Sequence, residues 1–175
     1  MIDIVKQIIQ FNIETWKTPS LENLKINDES LLNETWNIFV TLYKDWEIVW
    51  SSWNVVDIEK NIVLELIWST ISALNDIRFT KINISQINSI RIRIDKIIKR
   101  TLLWEKDLKE LNPLNTWILT IKKDYTKLWV ILPNISPELK KWEDYISILT
   151  DKLNEDFKKD DYIIYEIETE NTTNF

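Results

Sequence analysis

The chain has 175 residues and a net charge of −6, with 45% of its residues apolar and 29% charged; this balance fits one soluble globular domain and excludes a disordered tail. Cys, His and Gly are absent, which removes disulfides, thiolate and imidazole catalysis, histidine zinc sites, P-loops, dinucleotide-binding turns and nucleophile elbows. The acidic balance argues against nucleic acid as a partner, and no apolar run approaches the roughly 20 residues of a membrane span.

Helical spacing runs through most of the chain. A first helix is expected over 1–17, with Ile2, Val5, Ile9, Ile13 and Trp16 on one stripe, ended by Thr18-Pro19-Ser20 because proline disfavours helical geometry at the residue before it. A second, over about 28–55 and capped by Asp28 or Ser30, carries Leu32, Trp36, Phe39, Tyr43, Trp46, Trp50 and Trp53 at alternating spacings of 4 and 3, a heptad seam sustained over three heptads. Asp57 is placed to cap a third helix over 58–78, with Val63, Ile67, Ile71 and Leu74 inward. Residues 79–84 alternate apolar and polar but lack a partner strand, so they read as an extended linker capped by Ser85. A fourth helix over 86–112 repeats the heptad rule through Ile87, Ile90, Ile94, Ile97, Thr101, Trp104, Leu108 and Leu111, and a fifth runs from Leu114 to Leu132. Ser136 as N-cap and Pro137 at the first helical position open a sixth, carrying Leu139, Trp142, Ile146, Leu149 and Leu153. The segment 159–175 loses helical period and is expected to fray or to pair with a partner. The expected fold is all-α: an elongated bundle of about six antiparallel helices with heptad-like seams, in a single domain over 1–158.

Of the 10 tryptophans, those at 36, 46, 50, 53, 104, 117 and 142 lie on seams and are expected to pack between helices. Trp68 and Trp129 lie beside their seams and are candidates for a partner surface. The stretch RIRIDKIIKR at 91–100 supplies Arg91, Arg93, Lys96 and Arg100, which read either as a basic helix face that docks an acidic partner or as a solvated face laced with ion pairs. The acidic groups Glu143-Asp144 and Glu166, Glu168 and Glu170 have no calcium-loop spacing and read as solubilising charge. No catalytic residue, cofactor or metal ligand stands out, so an enzyme is not expected.

Two stretches resemble the linker region of dynein heavy chains. In the first, Trp16-Lys17-Thr18-Pro19 precedes Leu24, Asp28-Glu29, Trp36 and Thr41-Leu42-Tyr43-Lys44; in the second, Trp117 precedes Leu132-Pro133 and Ser136-Pro137-Glu138-Leu139-Lys140-Lys141-Trp142, with Ser136 where the family has Asn. The resemblance implies a non-catalytic helical lever of a microtubule motor, transmitting conformational change to motor subunits, with a cytoskeletal or ciliary location. The residues alone support the alternative of a free-standing cytoplasmic adaptor that binds partner helices. Neither reading fixes an oligomeric state.

Overall fold

Residues 90–95 read Ile-Arg-Ile-Arg-Ile-Asp, and in the computed structural model that two-residue alternation is a strand rather than a turn of helix. The structure describes residues 1–44, 47–53, 59–75, 82–103, 110–112, 116–132 and 140–175. Its elements in chain order are α1 (Ile2–Thr15), β1 (Ile38–Lys44), β2 (Glu47–Trp53), α2 (Ile62–Leu74), β3 (Arg91–Leu102), β4 (Trp117–Lys122), β5 (Leu128–Ile131), α3 (Trp142–Leu153) and β6 (Tyr162–Thr173), with short 3-10 turns between them. Hydrogen bonding orders the strands β2-β1-β3-β6-β4-β5 in a six-stranded sheet. The fold is therefore mixed α/β, and the expected all-α bundle of six helices is wrong.

The correction falls on three of the six expected helices. The tryptophan seam at 28–55 holds a 3-10 turn at Glu29–Leu32 followed by β1 and β2, which pair antiparallel with Val40 opposite Ser52 and Phe39 opposite Trp53. Asp28 does cap, but what it caps is the 3-10 turn, where its Oδ1 accepts from the Ser30 N–H at 3.1 Å. The expected fourth helix is a 3-10 turn at Ile84–Ser89 followed by β3, and the expected fifth contains β4 and β5. Helices α1, α2 and α3 do lie within the expected first, third and sixth segments. Residues 104–109, 113–115 and 133–139, which include Trp104 and the Ser136-Pro137 cap, lie outside the described residues, as do Trp46, Asp57 and residues 79–81 of the expected linker at 79–84.

Contacts divide the chain into two compact units, Met1–Ile97 with Glu170–Phe175, and Ile98–Thr169. In the first unit, β1 pairs antiparallel with β3, setting Val40 against Ile94 and Leu42 against Ile92. Facing residues of an antiparallel pair share a face, so Ile38, Val40, Leu42, Ile92 and Ile94 form one apolar floor. Ile4, Val5, Ile8 and Ile9 of α1 and Val63, Leu66 and Ile67 of α2 pack on it, all at most 5% exposed. Each such side chain contributes about 1.5–3 kcal/mol by leaving water. Asn61 caps α2 by accepting from the Leu64 N–H at 3.0 Å.

In the second unit, β4 pairs antiparallel with β5 and with β6, and Tyr145, Leu149 and Leu153 of α3 cover Leu103, Ile118, Ile131, Tyr162 and Ile164. The segment expected to fray is thus strand β6, whose partner β4 lies in the same chain. Trp16, Tyr125 and Asn154 adopt positive φ, of 59°, 61° and 52°. These are a helix C-cap, a hairpin turn and a second helix C-cap, positions where glycine is the usual residue, and this chain has none. The two aromatic residues bear a left-handed cost of about 1–2 kcal/mol each.

Candidate functional site

Strand geometry divides the residues expected to make a basic helix face. Arg91, Arg93 and Asp95 share the face of β3 turned away from α1 and α2, opposite Tyr43, Thr41 and Phe39 of β1 respectively. There the Arg93 guanidinium donates to both oxygens of Asp95, Nε to Oδ2 at 2.7 Å and a terminal nitrogen to Oδ1 at 2.8 Å, with Asp95 fully buried. Burial works against the charged guanidinium, but the bond to Asp95 and the neighbouring Tyr43 phenol outweigh it and raise the Arg93 pKa above its ordinary value. Burial pushes the Tyr43 phenol up as well. The ring of Phe175 stands edge-on to Tyr43 with centroids 5.8 Å apart, and the Arg91 guanidinium lies 5.8 Å from the same ring.

Lys96, by alternation, belongs to the other face, where its ammonium sits 3.6 Å from the centre of the Trp36 ring. Trp36 is half-buried against the first core, in the segment just before β1 rather than on a seam between helices. Arg100 is exposed near the end of β3. Trp68 on α2 and Trp129 on β5 are half-buried, and Trp129 packs against the core of the second unit. Trp68, Trp129 and the four basic residues are therefore not gathered into one surface patch of either unit. Trp117, another of the seam tryptophans, is buried in β4 at 2% exposure.

The second unit does form a concave site. β6 enters the sheet at Tyr162, and the backbone on either side of that entry is fixed by two bonds, Leu103 N–H to the Ile164 carbonyl and Lys123 N–H to the Asp161 carbonyl, both 2.9 Å. Between them lies a cavity of about 430 Å³, lined by Leu102, Leu103, Lys123, Lys159, Asp160, Tyr162, Ile163, Ile164 and Tyr165. Leu102, Leu103, Ile163 and Ile164 contribute to its lining, Leu103 and Ile164 being also part of the core beneath α3, while Lys123, Lys159 and Asp160 are exposed. The Lys123 and Lys159 ammonium groups and the Tyr165 hydroxyl have no hydrogen-bond partner among the described residues.

Tyr162 is held in place by a polar cluster behind the cavity. Its hydroxyl donates a short bond to Glu155 Oε1, and its ring packs on Phe157 with centroids 4.9 Å apart. Lys122 donates to the same carboxylate at 2.8 and 3.0 Å, and Lys127 donates to Glu155 Oε2 and to the Leu153 carbonyl, both at 2.6 Å. The bonds from Lys122, then Lys127, then Tyr162 lower the Glu155 pKa from 4.5 to about 2. A depressed carboxylate stabilises the fold fully above its unfolded pKa, and that stabilisation is lost as pH falls through the folded value. Thermal melts should therefore show stability falling between pH 4.5 and pH 2, with a shallower fall in Glu155→Gln across the same window. Identical slopes in the two proteins would remove Glu155 from the acid response.

None of the cavity residues stood out in the sequence. The available signal was DYIIYEIE at 161–168, which carries strand-forming residues where helical period is lost, but its partners Leu102 and Lys123 lie some forty to sixty residues away. Among the described residues no three acidic, histidine or cysteine side chains gather closely enough to hold a metal ion, and no helix is long and apolar enough to cross a membrane.

No family model matches the chain, and no curated protein matches it. The chain is similar to the uncharacterized protein PH0010 from Pyrococcus horikoshii, known from a crystal structure, with a TM-score of 0.77 at 15% sequence identity over 96% of this chain and 86% of that one. At that identity the similarity is one of fold, and it places this chain in the same mixed α/β architecture.

Proposed function

We propose that this chain is a non-catalytic binding module whose cavity beside the start of β6 takes one small amphipathic molecule. The observation that carries the reading is the cavity itself: about 430 Å³, walled by Leu102, Leu103, Ile163 and Ile164 and rimmed by polar groups. Small-molecule sites have this size and this combination of an apolar wall with a few polar groups at the mouth. Binding without chemistry is the simpler reading of a rim that pairs exposed lysines with one aspartate, in a chain that has no histidine or cysteine. The motor-lever reading expected helices through both stretches that resemble the dynein linker, and β1, β4 and β5 lie within them. The cavity offers a site to argue from, so the proposal is built on it instead.

Titration with N-phenyl-1-naphthylamine, an uncharged dye that brightens in apolar surroundings, tests this. The fluorescence rise should saturate at one dye per chain. Leu102→Trp, which fills the wall, should abolish most of it without lowering the thermal midpoint. No rise, or a rise indifferent to Leu102→Trp, would overturn the reading.

A further inference from the structure

Resting on the cavity reading above, we infer that Glu155 is the positioning residue of that site: it does not line the cavity, but sets its wall by holding Tyr162 in place. The lining includes Tyr162 and leaves out Glu155, Lys122 and Lys127, which lie behind it. Tyr162 is 5% exposed and belongs to the core beneath α3 as well, so one ring serves both core and cavity. Its hydroxyl is committed to Glu155, and the ring is what Tyr162 presents to a ligand.

Glu155 can act in this way because four elements meet at its carboxylate. It lies just past the end of α3, while Lys122 ends β4, Lys127 precedes β5 and Tyr162 begins β6. Lys122 donates to both carboxylate oxygens, and Lys127 donates to Oε2 and to the Leu153 carbonyl, tying the hairpin to the end of the helix. Lys122 also feels the charges of Asp124 and Asp161, but the hydrogen bonds of its ammonium run to Glu155. Asp124 accepts instead from the Thr126 N–H and hydroxyl within its own turn. Charge-assisted bonds are the stronger ones, and a carboxylate fixed by two lysines fixes the phenol that donates to it. The wall is then preformed, and a ligand does not have to order Tyr162 as it binds.

A cycle of dye affinities separates this inference from the reading it rests on. N-phenyl-1-naphthylamine is titrated into wild type, Glu155→Ala, Tyr162→Phe and the double variant, at a temperature where circular dichroism shows each to be folded. Glu155→Ala should weaken dye binding about tenfold, as follows when the binding-competent wall is only about a tenth populated. Tyr162→Phe, which keeps the ring and removes its anchor, should weaken binding to a similar extent. Adding Glu155→Ala to Tyr162→Phe should then change the affinity no further, because Glu155 acts through the hydroxyl alone. A residue that served only stability would lower the thermal midpoint and leave the affinity of the folded protein where it was. Unchanged affinity in Glu155→Ala, or losses that add in the double variant, overturns the positioning role and leaves the cavity reading intact. Should Glu155→Ala not fold, Tyr162→Phe carries the test by itself, and unchanged affinity there overturns the inference. A wild-type chain that binds no dye overturns both.

Discussion

Tyr145→Ala is expected to lower the unfolding free energy by about 3–5 kcal/mol, the range for truncating a large aromatic in a well-packed core. Tyr145 is fully buried on α3 and lies among Leu103, Ile118, Ile131, Leu149 and Ile164, so its ring links the helix to the sheet of the second unit. Its hydroxyl donates to the Thr116 carbonyl at 3.2 Å, just ahead of β4. Burial pushes the phenol far above its ordinary pKa, so it remains a neutral donor under ordinary conditions. Removing the ring leaves a void that the surrounding Leu and Ile side chains fill only partly, because α3 is anchored again at Leu149 and Leu153. Tyr145→Phe separates the two contributions: it keeps the ring and strands the Thr116 carbonyl, at a cost of about 1 kcal/mol. Urea unfolding at constant slope reads both differences directly. A Tyr145→Ala protein within about 1 kcal/mol of wild type would mean that α3 does not carry this core. Against a total of about 5–15 kcal/mol for a domain, the expected loss takes a large share of the margin.

The helices were legible in the sequence because each is amphipathic at its own period: Val5 and Ile9, Val63 and Ile67, Leu149 and Leu153 recur at four-residue spacing and are all buried. The strands were misread for a specific reason. The aromatics from Trp36 to Trp53 fall by chance at alternating spacings of 4 and 3, but a heptad seam also requires polar residues off the seam, and Ile38, Val40 and Leu42 are apolar and fully buried. With Phe39 and Thr41 buried as well, β1 is covered on both faces, and such a strand reads as a continuous apolar run with no period of two to reveal it. In β3 the alternation was present, with Ile92 and Ile94 inward and Arg91 and Arg93 on the opposite face, but Ile90, Ile94 and Ile97 also satisfied a heptad. Turn residues usually settle this ambiguity. A chain without glycine offers no Asn-Gly or Asp-Gly signal, and its β4–β5 hairpin places Tyr125 at the left-handed position instead. The cavity was less legible still, because it exists only once β6, the end of β3 and the residue after β4 have been brought together.

Arg93→Met is expected to cost about 3–5 kcal/mol, far more than an arginine on a solvated helix face would. The difference comes from Asp95. Two residues apart on one strand, the pair shares a face; the guanidinium retains 25% exposure while the carboxylate has none. Both carboxylate oxygens are bonded in the two-pronged geometry that only arginine supplies, so a lysine at 93 would replace one prong at most. Taking the guanidinium away leaves a carboxylate in a low-dielectric site without its bidentate partner, and the penalty comes mainly from that desolvated charge. Arg93→Met/Asp95→Leu then tests the cause. If the charge left behind is what destabilises the single variant, the double variant should recover most of the loss, because replacing a buried pair with apolar side chains of similar volume is often close to neutral. A four-protein urea cycle gives the coupling between the positions, expected at roughly 2–3 kcal/mol in sign with mutual support. Recovery would identify the pair as a device that fixes the register of β3 against β1, since a slip by one residue would drive Arg93 and Asp95 into the apolar floor beneath α1 and α2. A double variant as unstable as Arg93→Met alone would instead put the energy in the shape of that face, where Phe39 and Thr41 lie against the same two side chains.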